Sequence, residues 1–157
     1  VNRAWLLALL AVATQAQAGE IRLTQADIAA QHRAAGGPGT SGVAGIQTIV
    51  LAGDPTAAGP YTIELRVPAN TSIAAHTHRD DRTAVVVSGI WHFGYGAVAN
   101  ASATKALGPG SFYSEPGGDA HFAMTGGEAV TVIITGFGPT DTNFTAATPS
   151  PQTEKQP

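Results

Sequence analysis

The chain has 157 residues, enough for one domain with a sizeable core. Its 11 acidic residues outnumber its 8 basic ones, for a net charge of −3, which speaks against nucleic acid and anionic membranes as partners. With no cysteine there can be no disulfide, thiol catalysis or thiolate ligand, so any metal site must be built from histidine and carboxylate.

The elements are read in chain order. Arg3, the apolar run Trp5 to Ala13 and the small-x-small Ala16-Gln17-Ala18 form the pattern of a cleaved secretory signal over 1–18. The run is shorter than the roughly 20 apolar residues that span a bilayer, so we expect a secreted or periplasmic mature chain with no membrane contact. Thr24 to Ala35 predicts a short helix capped by Thr24, with Asp27 in its first turn and Gly36-Gly37-Pro38 after it. His32 lies on this helix and is given no role.

Beyond the Gly-rich loop that ends at Gly45, the pattern changes to short alternating runs divided by Gly/Pro turns. Strands are expected at Gln47–Ala52, Tyr61–Val67, Ser72–His78, Thr83–Ser88, Ile90–Tyr95, Ser111–Glu115, His121–Met124 and Ala129–Gly136, with a polar loop over Ala97–Lys105. Many short strands without intervening helices mean an all-β sandwich or barrel rather than a βαβ fold. From about 139 the chain turns rich in Thr and Pro, and its end from Ala146 has the composition of a disordered tail. The expected organisation is therefore a leader (1–18), a helix and loop (19–45), a β domain (46–138) and a tail (139–157).

Three histidines carry the chemistry. His76 and His78 are one residue apart, which on a strand puts both imidazoles on one face. His121 opens a later strand just after the Pro116-Gly117-Gly118 turn and can bring a third imidazole to the same ion.

With its flanking residues this arrangement resembles the cupin family. That family's first motif is Gly, five residues, His-x-His, three or four residues, Glu, six residues, Gly. Here it reads Asn70, TSIAA, His76-Thr77-His78, RDD, Arg82, TAVVVS, Gly89. The second motif is Gly, five residues, Pro-x-Gly, two residues, His, three residues, Asn; here it reads Gly110, SFYSE, Pro116-Gly117-Gly118, DA, His121, FAM, Thr125. Every spacing holds, and His76, His78, Gly89, Gly110, Pro116, Gly118 and His121 match by type.

The resemblance implies a double-stranded β-helix, the jelly-roll barrel, with a short N-terminal helix and a metal inside. It implies that Ala74, His76 and His78 face inward, that Trp91 and Phe93 do so too, and that His92 faces out. The implied ligands are His76, His78 and His121, for a divalent transition metal (Fe, Mn, Ni, Cu or Zn). A small-molecule ligand or substrate would be met by Arg82, Trp91, Phe93 and Glu115, while Phe112 and Phe122 could extend a dry wall. No residue is assigned a catalytic role. A homodimer through a sheet edge is a further expectation, since exposed edges need covering.

Three positions depart from the motifs. Asn70 stands for Gly but tolerates a left-handed backbone, and Thr125 stands for Asn at a strand end. Arg82 stands for the Glu that is the carboxylate ligand in many cupins, and arginine cannot bind a cation. Three arrangements follow. Three His alone hold the metal, with Arg82 binding an anionic substrate or pairing outward with Asp80 or Asp81. Or a bulge turns Asp81 inward as the missing carboxylate. Or Arg82 points in and an anionic ligand replaces the metal. Glu115 is expected most simply as a wet rim residue that could reach the pocket, and Asp119 as a turn residue. The functions that correspond are a dioxygenase or other oxidoreductase acting on a small organic acid or diketone, and a non-catalytic periplasmic binder of a small anion.

Overall fold

The computed structural model describes residues 19–35 and 40–145. The expected leader, four residues of the Gly-rich loop (36–39) and the end of the tail (146–157) lie outside the described residues.

The N-terminal helix α1 covers Gln25–Ala30, shorter than the sequence predicts. Thr24 and Asp27 close a capping box: the Asp27 N–H donates to Thr24 Oγ1 (3.2 Å) and the Thr24 N–H to Asp27 Oδ2 (2.7 Å). The helix stops early because pairing with the sheet takes over, with Ala34 and Thr48 exchanging both backbone hydrogen bonds. None of its residues is buried, so it contributes nothing to the core.

Ten strands follow. They are β1 Gln47–Ala52, β2 Gly59–Val67, β3 Ser72–Thr77, β4 Arg82–Ser88, β5 Trp91–Tyr95, β6 Lys105–Leu107, β7 Phe112–Glu115, β8 His121–Thr125, β9 Val130–Gly138 and β10 Asn143–Phe144. They form two five-stranded antiparallel sheets, ordered β1-β2-β9-β4-β7 and β10-β3-β8-β5-β6. Their faces pack together as a jelly roll; the two sheets do not close into a continuous barrel.

Eight strands were legible from alternation; β6 and β10 were not. Leu107 is recruited opposite Trp91 at one edge of the second sheet. At the other edge β10 pairs with β3, setting Phe144 opposite His76. Short edge strands like these are fixed by the neighbour they pair with rather than by their own pattern. The chain therefore remains part of the sheet beyond 138, where the expected tail begins.

The core lies between the sheets. Ile63, Leu65, Ala84, Val86, Val132 and Ile134 from the first sheet meet Ile73, Trp91, Phe93, Leu107 and Ala123 from the second. Two left-handed residues bracket the first motif. Asn70 has φ 54° and its N–H donates to Gly126 O (2.7 Å), so the Gly-to-Asn departure keeps the turn. Gly89 has φ 75°, and a Cβ there would sit 2.4 Å from Ala129 O, so no side chain fits. By urea unfolding, Asn70→Ala should cost about 1–2 kcal/mol and Asn70→Gly almost nothing, the difference being the left-handed penalty of a Cβ that cannot hydrogen-bond locally. Equal losses in both variants would mean that the Asn side chain, not the backbone, holds the turn. Among the described residues no helix is long and apolar enough to cross a membrane.

Candidate metal centre

His76 near the end of β3 and His121 at the start of β8 are cross-strand partners, and His78 follows β3 on the same side. All three are buried, and their ligand atoms lie within 4.8 Å of one another. The ring centroids are 4.5–5.0 Å apart. A register shift between Ile73 and His76 sets this phase. The inward residue before the histidines is consequently Ile73 and not Ala74, since the bulge moves the pleat by one residue.

Each Nδ1 faces a backbone carbonyl: Ala74 O for His76 (2.8 Å), Asp141 O for His78 (2.5 Å) and Asp119 O for His121 (3.1 Å). A carbonyl only accepts, so each Nδ1 carries the proton and each Nε2 keeps its lone pair. Metal-ligating histidines are commonly oriented by such carbonyls. His121 Nε2 is buried with no hydrogen-bond partner among the described residues, which an ion would remedy. Burial pushes the imidazoles toward the neutral form a metal needs: His76 down to about 4, His78 down to about 3 with help from the Arg82 charge, and His121 downward as well. The donor set therefore fits a divalent transition metal held by His76, His78 and His121.

Arg82 points inward and is only 5% exposed. Its cross-strand partner is Glu115, 4% exposed, which overturns the expectation of a rim residue in water. Arg82 Nε donates to Glu115 Oε2 at 2.6 Å, and Arg82 Nη2 is ion-paired with the same oxygen. Arg82 Nη2 also lies 2.5 Å from His78 Nε2. Burial is the largest single influence on Glu115 and would raise its pKa, but the Arg82 charge, His121, His78 and the hydrogen bond from Arg82 together hold the carboxyl below its ordinary value. Glu115 Oε2 is 3.8 Å from His78 Nε2 and 3.7 Å from His121 Nε2.

The two other acids near the motif are used elsewhere. Asp81 is exposed and its Oδ1 accepts from the Gly117 N–H (2.7 Å), so it does not turn inward as a ligand. Asp80 is buried and accepts from Tyr61 Oη (2.8 Å) and Thr140 Oγ1 (2.5 Å), so neither acid draws Arg82 outward. Asp119 closes the turn after Pro116, its N–H donating to Pro116 O (3.0 Å), and its carbonyl orients His121.

Trp91 and Phe93 line the same cavity as the histidines, Arg82 and Glu115. Phe93 lies against both His121 and Tyr113, at 5.5 and 4.3 Å between centroids. Phe112 is on the other face of β7, 65% exposed, and Phe122 packs outward against Gly94, so neither belongs to the wall. The inner cavity is about 20 Å³, room for one water or ion. Outside it, Thr40–Gly42, Thr140–Thr142 and Phe144 line a cleft of about 310 Å³ that shares Thr40 and Ser41 with the cavity.

Sequence reasoning missed residues 140–145. Asp141 holds both His78 through its carbonyl and the Arg79 N–H through its carboxylate, and Phe144 lies 5.7 Å from the His76 ring. No periodicity marks such a strap. Only the change from a Gly-Pro turn to consecutive Thr and Asp side chains, able to cap backbone, hints at it.

No protein-family model matches the chain, and no curated protein sequence matches it. Solved structures do. The polyketide cyclase RemF from Streptomyces resistomycificus superimposes with a TM-score of 0.65 at 19% identity, over 85% of this chain and 90% of the other. An RmlC-like cupin from Shewanella frigidimarina superimposes with 0.56 at 17% identity, over 77% and 93%. The chain has the cupin fold. A sugar phosphate isomerase of the cupin superfamily from Silicibacter pomeroyi agrees, with 0.51 at 16% identity over 69% of each chain. At such identities the likeness carries the cupin fold and not the chemistry, which has to be argued from the side chains.

Proposed function

We propose that this chain is a secreted or periplasmic cupin-fold protein that binds one divalent transition metal through His76, His78 and His121 and acts on a small organic acid or diketone as a dioxygenase-like oxidoreductase. The observation that carries the metal is the set of three Nδ1–H groups tied to carbonyls, which turns three buried neutral Nε2 atoms toward one point, that of His78 being met there by Arg82 Nη2. Held by these three histidines, such an ion would supply Lewis-acid and redox chemistry toward a small chelating anion. The chain's own residues do the rest. Trp91, Phe93 and Tyr113 keep the inner space dry, and the outer cleft offers the approach. Cupin-fold neighbours that include a polyketide cyclase and a sugar phosphate isomerase support a small-molecule substrate.

The test is metal content by mass spectrometry on mature, tag-free protein, with His121→Ala as control, followed by oxygen uptake on a panel of diketones and small organic acids. About one metal per chain, lost in the variant, together with oxygen consumption is the expected result. Metal without oxygen uptake would remove the oxidoreductase assignment. No metal after loading with Fe(II), Mn, Ni, Cu or Zn would remove the site itself.

One observation favours the non-catalytic reading. Arg82 Nη2 bonds the lone pair of His78, and the inner cavity admits about one water. A binder in that form would be stabilised by its ligand without releasing product.

A further inference from the structure

The Arg82–Glu115 pair has a geometry that a mere core ion pair does not need. β4 and β7 run antiparallel with Arg82 directly opposite Glu115, so the two side chains enter the cavity from adjacent positions. Glu115 Oε2 stands 3.7 and 3.8 Å from the Nε2 atoms of His121 and His78. Two ligands on one ion at bond lengths near 2.1 Å are about 3.4 Å apart at a tetrahedral angle, so this oxygen is within a few tenths of an ångström of a ligand position beside both histidines. Arg82 Nη2 meanwhile donates to His78 Nε2, the lone pair a metal would need. A guanidinium and a metal ion cannot share that lone pair.

We infer that Glu115, delivered from β7, is the carboxylate ligand of the three-histidine centre, and that Arg82 is a resident cation competing with the metal for His78. The inference rests on the three-histidine reading and deepens it. The carboxylate then comes not from β4, where the first motif would put it, but from the strand beside it. Charge balance points the same way. Three neutral imidazoles leave a divalent ion uncompensated, and Arg82 alone would add to that positive charge; an ionised Glu115 offsets it. His121 Nε2, buried without a partner among the described residues, faces the same oxygen.

The two substitutions should move metal affinity in opposite directions. Affinity for Zn(II) and Co(II) would be measured on the full-length folded protein by competition with a chromophoric chelator, alongside the visible spectrum of the Co(II) form. Glu115→Gln is nearly isosteric and still accepts from Arg82; it should weaken binding by about 10–100-fold and alter the Co(II) spectrum, since a charged ligand is lost. Arg82→Met should tighten binding by about tenfold or more, because His78 is freed and the carboxylate has no rival partner. Circular dichroism before titration confirms that each variant is folded, and His121→Ala is the control for the centre as a whole.

Wild-type affinity and an unchanged Co(II) spectrum in Glu115→Gln, with metal still lost in His121→Ala, would overturn the ligand role and leave the three-histidine site standing. Weaker binding in Arg82→Met would overturn the competition, since it would make Arg82 a support for the site. Metal uptake by Arg82→Met but not by wild type would be the competition in its strongest form. No uptake by either would bring down the three-histidine reading together with this one.

Discussion

Glu115→Ala should lower the unfolding free energy by about 3–5 kcal/mol, the cost of leaving a buried partner charge alone. The Arg82 guanidinium is 5% exposed and bonded by Glu115 through two nitrogens, so the truncation strands a full positive charge between the sheets. Arginine cannot escape by losing its proton. The pair itself need not be stabilising, because removing both charges from water costs about what their attraction returns. An Arg82→Met/Glu115→Leu double variant, apolar and of similar volume, should therefore lie within about 1–2 kcal/mol of wild type. Urea unfolding followed through the buried Trp91 would complete the cycle. If the double variant is as damaged as Glu115→Ala, the pair contributes something that packing cannot replace.

Acid should destabilise the metal-free protein, and the window follows from the imidazoles. His76 is held down to about 4 against an ordinary value of 6.5, chiefly by burial. As the pH falls below 6.5 the unfolded chain takes up this proton before the folded one does, so unfolding gains ground. The loss grows until the folded pKa is reached and amounts to about 3 kcal/mol for His76 by pH 4, at 1.36 kcal/mol per pH unit. His78, held down to about 3, adds a loss of the same sign that extends further into acid. Glu115 acts in the same direction below its ordinary value of 4.5, since its carboxylate is favoured in the fold. Denaturant midpoints at pH 7, 6, 5 and 4 should fall steadily. A flat profile down to pH 5 would mean that the imidazoles are wet and not desolvated.

The parts legible in the sequence are those that carry a repeat or a fixed spacing. Alternation located eight strands to within two residues at either end, and the spacing of His76, His78 and His121 selected three residues that meet in one cavity. What escaped was set by pairing across the fold. The bulge that makes Ile73 rather than Ala74 face inward is not placed by TSIAAHTH: Ile73 and His76 lie out of phase, and the small Ala74 and Ala75 between them suit either face. Glu115 read as a rim residue because a carboxylate before a turn is usually wet, and only the register that places it opposite Arg82 shows why it is buried. The strap from Thr140 to Thr145 has no apolar period, and its role comes from hydrogen bonds to Asp80, His78 and Ala75.

That strap also sets an order of assembly. His76 and His78 leave the ribosome some sixty residues before Asp141, whose carbonyl fixes the His78 tautomer. His121, Thr140 and Phe144 arrive in that interval or just after it. The centre is thus completed last: a nascent chain halted at 138 would hold all three histidines yet lack the carbonyl that aims His78.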